Sequence, residues 1–164
     1  MLKLCYRMQE VNFSALMAVY AESNGENGRE NWPRESAGMQ QLLAEQDFRQ
    51  YLREVFFQTP GAAYAIWEVK GKYVSALRLE HYRDGLLLAG LETAPEYRRQ
   101  GFAAKLVASV VGEFAGEKIY SHISKRNAAS IAVHERCGFQ KVMNHAVYVD
   151  GSVSHRAATY LIQT

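Results

Sequence analysis

The chain has 164 residues and a mass of 18.5 kDa, with 48% hydrophobic and 22% charged residues. That length can bury about two-thirds of the unfolded surface in one domain without disulfides or a metal, and the composition is too apolar for a disordered chain. Nineteen Lys and Arg stand against 17 Asp and Glu, a net charge of +2, which gives no prior for nucleic-acid binding but leaves a local basic pocket open.

Leu2, Leu4 and Tyr6 alternate as in a first strand. Phe13, Leu16, Met17 and Tyr20 recur at helical spacing, with Asn12 as the cap. Glu22 to Ser36 is rich in Asn and Gly and contains Pro33, which predicts a long mobile loop. Trp32 within it is either a packed lid or a substrate contact. Met39, Leu42, Leu43, Leu52, Val55 and Phe56 predict a second helix, stopped by Pro60-Gly61.

Three strands are expected next. Ala63 to Val69 is aromatic and β-branched, and Lys70-Gly71-Lys72 is its turn. Tyr73 to Tyr82 follows and ends at Asp84-Gly85, a tight-turn pair. Leu86 to Thr93 is nearly all apolar, as a strand central to its sheet would be. The period then changes. Phe102, Leu106, Val107, Val110, Val111 and Phe114 form a wide helical stripe. Lys118 to Ser124 is a short strand, and Asn127 to Cys137 a helix closed by Gly138 with Phe139 behind it. Gln140 to Val149 and Val153 to Ile162, joined through Asp150-Gly151, predict a closing hairpin. The expected order is βααβββαβαββ over one domain, residues 1–164. The class is α/β or α+β, with a mixed, mostly antiparallel sheet of about seven strands and helices on both faces.

Cys5 and Cys137 are too few for a disulfide scaffold and lack metal-site spacing. The apolar runs are far shorter than the ~20 residues of a membrane span, so no membrane partner is expected. The start, MLKLCYRMQE, turns charged too early for a secretory signal. A cytoplasmic location is the expectation.

The chemistry concentrates in two segments. In the first, the strand ending at Thr93 leads through Pro95 into Arg98-Arg99-Gln100-Gly101-Phe102-Ala103, where a helix begins. A helix start offers unbonded N–H groups and a positive dipole end, and Gly101 and Ala103 let a ligand approach the backbone. With Arg98 and Arg99 this is an anion site suited to phosphate. The plainer alternative is a turn glycine with solvated arginines. The dinucleotide fingerprint and the Walker loop are both absent. In the second segment, Asn127, Ser130 and His134 share one face of a helix, which taken alone reads as a solvent face.

Together the two segments resemble the GNAT superfamily of N-acetyltransferases. That family's phosphate loop runs Arg or Gln, two residues, Gly, one residue, Gly or Ala; Arg98, Gly101 and Ala103 match it. Its second motif runs Asn, a helical stretch, Tyr, then Gly-Phe; Asn127, His134 and Gly138-Phe139 match, with His in place of Tyr. The element order agrees along essentially the whole chain.

The resemblance implies that acetyl-CoA is the co-substrate. The backbone of Arg99, Gln100, Gly101, Phe102 and Ala103 would bind the pyrophosphate, with Arg98 at the entrance. Leu91 and Thr93, on a strand splayed from its neighbour, would pair with the pantetheine arm, and Asn127 and Ser130 would contact it. The acceptor would be a primary amine of a small molecule or peptide, attacking directly in a ternary complex. A neutral amine needs a base or proton wire. Glu92 is the first candidate, Glu80 and His122 are rivals, and a water chain is a further option. His134 would donate a proton to the leaving thiolate, only hydrogen-bond the thiol, or do nothing catalytic. His81, His145 and His155 read as surface or core residues, and no histidine pair has metal-ligand spacing, so no metal is expected. The first two helices, the Glu22 to Ser36 loop and the closing hairpin would form the acceptor site, with Trp32, Tyr20 and Tyr82 lining it. Two alternatives stand beside this: an acyl-CoA-binding sensor on the same fold, and an unrelated phosphate-binding domain. The resemblance favours a homodimer only slightly over a monomer.

Overall fold

The computed structural model describes all residues from Met1 to Thr164. Strand β1 (Leu2–Cys5) is followed by three helices: α1 (Phe13–Val19), α2 (Ala21–Asn31) and α3 (Ala37–Glu54). Strands β2 (Ala63–Val69), β3 (Lys72–Tyr82) and β4 (Gly85–Thr93) form a meander, and α4 (Phe102–Glu113) crosses to β5 (Lys118–Ser124). Helix α5 (Ala128–Arg136), β6 (Gln140–Met143), the short β7 (Ala146–Val147) and β8 (Val153–Ser154), and β9 (Ala157–Gln163) complete the chain.

Seven strands make one sheet in the order β1-β2-β3-β4-β5-β9-β6. Only β4 and β5 run parallel; the other pairs are antiparallel. β4 is the middle strand, which explains its apolar run: Leu86, Leu87 and Leu88 are all buried. The mixed, mostly antiparallel sheet with helices on both faces is the expected class.

The strand period of two divides the core between those faces. Ala63, Ala65, Leu77 and Leu79 pack with Leu106, Val107 and Val110 of α4. Tyr64, Ile66 and Ala76 pack instead with Leu16, Met17 and Val19 of α1 and with Leu52 and Phe56. No helix is long and apolar enough to cross a membrane.

Two expectations need correction. Glu22 to Ser36 is mostly the helix α2 rather than a mobile loop, so three helices stand between β1 and β2. One of the glycines that suggest a loop serves close packing instead: a Cβ on Gly28 would sit 2.5 Å from the Gln40 carbonyl oxygen of α3. The closing hairpin is also interrupted. β9 lies between β5 and β6, and residues 146–154 form a separate two-stranded ribbon, β7 with β8.

Candidate active site

The pairing of β4 with β5 stops at Leu88 and Ser121. Beyond that point β5 stays with β9, and β4 continues alone on that side to Thr93. The splay expected at Leu91 and Thr93 is therefore present. On its other side β4 bulges. Arg78 faces Ala89 and Ala76 faces Glu92, so Gly90 and Leu91 stand opposite Leu77 alone. Gly90 has φ +62°, a conformation glycine adopts without steric cost, and its carbonyl accepts a 2.6 Å hydrogen bond from the Tyr20 hydroxyl.

After β4, a single turn at Pro95–Tyr97 leads to Gly101, the N-cap of α4, at φ +80°. No side chain caps this helix. None of the amides from Arg99 through Ala104 donates to another group of the protein. A Cβ on Gly101 would meet nothing within 4 Å, so the approach to these amides is open. An uncapped helix start with free amides is an anion site by its chemistry.

A groove of about 780 Å³ runs along this edge. Leu91, Glu92, Thr93, Arg98, Arg99, Gly101, Phe102, Ala103, Asn127 and Ser130 all line it. The structure thus brings together almost every residue picked from the two motifs, and Gln100 lies in the same loop. Asn127 is also the cap of α5: its Oδ1 accepts the Ser130 amide at 3.0 Å. Arg98 is tethered, because Nε donates to the Thr93 carbonyl at 3.2 Å and the guanidinium pairs with Glu22 of α2.

His134 does not fit the role of proton donor. It is 1% exposed and is not on the groove wall, where α5 contributes Ala129, Ser130, Val133 and Arg136. Its ring packs edge-on against Phe139. Burial pushes its pKa down, so it is neutral near pH 7, and Nδ1 lies 2.8 Å from the Ser130 carbonyl. That carbonyl can only accept, so the single proton sits on Nδ1 and Nε2 is bare and unpartnered. The proton is directed into its own helix.

A second cavity, of about 350 Å³, lies on the other side of Glu92. It is formed by Tyr20 and α2, α3, β3 and β4, with Asn24, Asn27, Trp32, Phe48, Tyr51 and Arg78 among its walls. Glu92 and Ser23 line both spaces. Burial raises the pKa of the Glu92 carboxyl, with Glu22 and Glu26 adding to the effect, while the Ser23 hydroxyl and Arg98 oppose it.

Of the expected acceptor residues, Tyr20 and Trp32 line this cavity. Tyr82 does not; it is buried against Tyr120 and His122, and its hydroxyl donates to the Val147 carbonyl. The closing strands contribute nothing to either space, and Glu80 and His122 line neither. Ser23, Asn24, Asn27 and Arg78 were missed. The first three lie in the segment read as a loop, although Asn24, Asn27 and Asn31 already stand three and four apart, as on one helix face.

Residues 17–139 match the family model described as the acetyltransferase (GNAT) family. The chain belongs to this family. Comparison with curated protein sequences finds no match. Solved structures share the fold at low identity. The ribosomal-protein-S18-alanine N-acetyltransferase from Escherichia coli has a TM-score of 0.58 and 18% identity, over 99% of this chain and 93% of that one. An N-acetyltransferase from Staphylococcus aureus Mu50 has a TM-score of 0.65 and 13% identity, over 98% and 100%. The PaiA N-acetyltransferase from Thermoplasma acidophilum, solved with coenzyme A, has a TM-score of 0.60 and 11% identity, over 100% and 99%.

Proposed function

We propose that this chain, acting as one domain over residues 1–164, transfers an acetyl group from acetyl-CoA to a primary amine. The observation that carries this reading is the position of Glu92, the acidic wall common to a groove with free amides and a separate cavity. A site that only sensed acyl-CoA would have no need of a second cavity meeting the first at a carboxylate.

In this reading the amides of Arg99 through Ala104 bind the pyrophosphate, with Arg98 at the entrance, and Gly101 keeps their approach clear. The free edge of β4 at Leu91 and Thr93 pairs with the pantetheine arm, as an added strand would. Asn127 and Ser130 flank that arm. The thioester then lies beside the bulge, and the amine enters from the second cavity.

Glu92 is the base. Its raised pKa suits a carboxylate that must take a proton from an ammonium group near neutral pH. The freed nitrogen attacks the carbonyl, a C–N bond forms, and the C–S bond breaks. Backbone amides of the splayed strand stabilise the oxyanion. Of the two protons that leave nitrogen, one ends on the thiol and one reaches solvent. The thioester is already activated, so no covalent enzyme intermediate is needed. Cys137, whose thiol lies 3.5 Å from the Ala104 carbonyl, takes no part.

Calorimetry with acetyl-CoA, followed by a free-thiol assay over an amine panel, tests the proposal. Binding together with amine-dependent thiol release is expected. Binding without turnover on any amine would leave a sensor, and no binding would remove the whole reading.

A further inference from the structure

The second cavity contains a cation that the proposed chemistry does not use. Arg78 of β3 is largely buried, yet its guanidinium makes no hydrogen bond and no ion pair within the chain. It is held by packing instead. The guanidinium lies 5.3 Å from the Tyr51 ring centre and 5.9 Å from that of Phe56. Aromatic faces attract its charge but leave its in-plane N–H donors unbonded. Its other face rests on the β4 bulge, where a Cβ on Gly90 would come within 3.2 Å of both Nε and Nη2.

The side chain is therefore fixed before any ligand arrives, and its donors open into the cavity that Gly90 and Glu92 also line. The two sealed, unpartnered side-chain atoms of the protein are elsewhere, at Tyr64 and His134. A guanidinium held among aromatic rings with no acceptor keeps its donors free for a ligand, and a planar carboxylate or a phosphate-type group is its natural partner.

We propose that the acceptor is a small amine that also carries an anionic group, bound by Arg78 while its amine faces Glu92. This rests on the acetyltransferase reading and adds the substrate class. The cavity has opposite charges placed for the two ends of such a molecule: Arg78 for the anion, and Glu92 with Asp47 for the ammonium. Tyr20, Trp32 and Phe48 add aromatic walls, and the volume of about 350 Å³ suits an amino-acid-sized ligand.

The test uses matched amines that differ in one group: amino acids, their carboxamides, and the corresponding aminophosphonates. Thiol release is followed with each, and acetyl-CoA affinity is measured separately. Wild-type protein should turn over the anionic members with a kcat/KM about 10- to 100-fold above their carboxamides, the range of one charge-assisted hydrogen-bonded pair. Whether acids or phosphonates lead identifies the anion. Arg78→Met, which keeps an apolar stem against Tyr51, should abolish that preference and leave acetyl-CoA affinity within about twofold. Arg78→Lys should retain part of it. The wild-type comparison needs no variant, so a misfolded Arg78→Met does not spoil the test. Equal or better turnover of the carboxamides overturns the proposal and leaves the acetyltransferase reading intact. Retained discrimination in Arg78→Met also overturns it. Loss of acetyl-CoA binding in the wild type removes both.

Discussion

Glu92 is the first base candidate of the sequence and His134 its proton-donor candidate, and the fold treats them in opposite ways. Both are desolvated, but Glu92 opens onto both spaces and His134 onto neither. Glu92→Gln should lower kcat by about 10²- to 10⁴-fold, the usual worth of a positioned base, with acetyl-CoA affinity little changed. In wild-type protein kcat/KM should rise with pH through a carboxyl pKa above the ordinary glutamate value. The same shift has a stability sign. Between its unfolded and its raised folded pKa, Glu92 binds more protons in the native state, so stability falls as pH rises through that window. Glu92→Gln should thus be more thermostable than wild type at pH 8, and the gain should shrink towards pH 4. A gain independent of pH would contradict the burial argument. For His134 the folded pKa is lowered, so its contribution is lost as pH falls through the unfolded value of about 6.5. His134→Phe removes the bare Nε2 and keeps the contact with Phe139. It should leave turnover within about threefold and reduce acid sensitivity; a 100-fold loss of kcat would restore His134 as a chemical group. This burial is not legible in the sequence, because the spacing of Asn127, Ser130 and His134 fits a groove face and a packed flank equally well.

At the scale of elements, the α4 start and α2 show what a glycine pattern can and cannot reveal. Gly101 was legible because a strand, a short loop and a helix stripe bracket it, and a tight turn there requires an unhindered backbone. It sits at φ +80° with free amides beside it. Gly101→Val should weaken acetyl-CoA binding about tenfold or more, by straining the turn and crowding the phosphate approach. Unchanged affinity in calorimetry would count against the phosphate loop. Gly28 is not legible in this way, because a glycine needed for close helix contact looks the same in one sequence as a glycine needed for a loop. Gly28→Ala drives a methyl group into the α3 backbone at Gln40. It should cost about 1–3 kcal/mol in chemical denaturation, as overpacking does. A neutral result would mean that α2 and α3 are less closely packed than described. The cost matters for function, since α2 carries Ser23, Asn24 and Asn27 to the cavities.

Across the molecule, the order of strands and helices around β4 was readable because each element there has a clean period or a strong turn. The sheet order was not. That β9 enters between β5 and β6 depends on a long-range pairing, Lys118 with Gln163 through Ser124 with Ala157, that no local pattern encodes. The lining of the groove beside β4 was legible for the same reason, since one stretch of chain builds most of it. The second cavity was not, because it joins Tyr20, Trp32, Phe48, Arg78 and Glu92 from five separate places in the chain. The claim underlying all of this is that the amides from Arg99 to Ala104 meet the diphosphate of coenzyme A. An amide-resolved NMR titration with coenzyme A tests it most directly. The largest shifts should fall on Arg99 through Ala104, with a second set at Leu91 through Thr93. Saturable binding that leaves those resonances in place, or no binding at millimolar coenzyme A, would contradict the account.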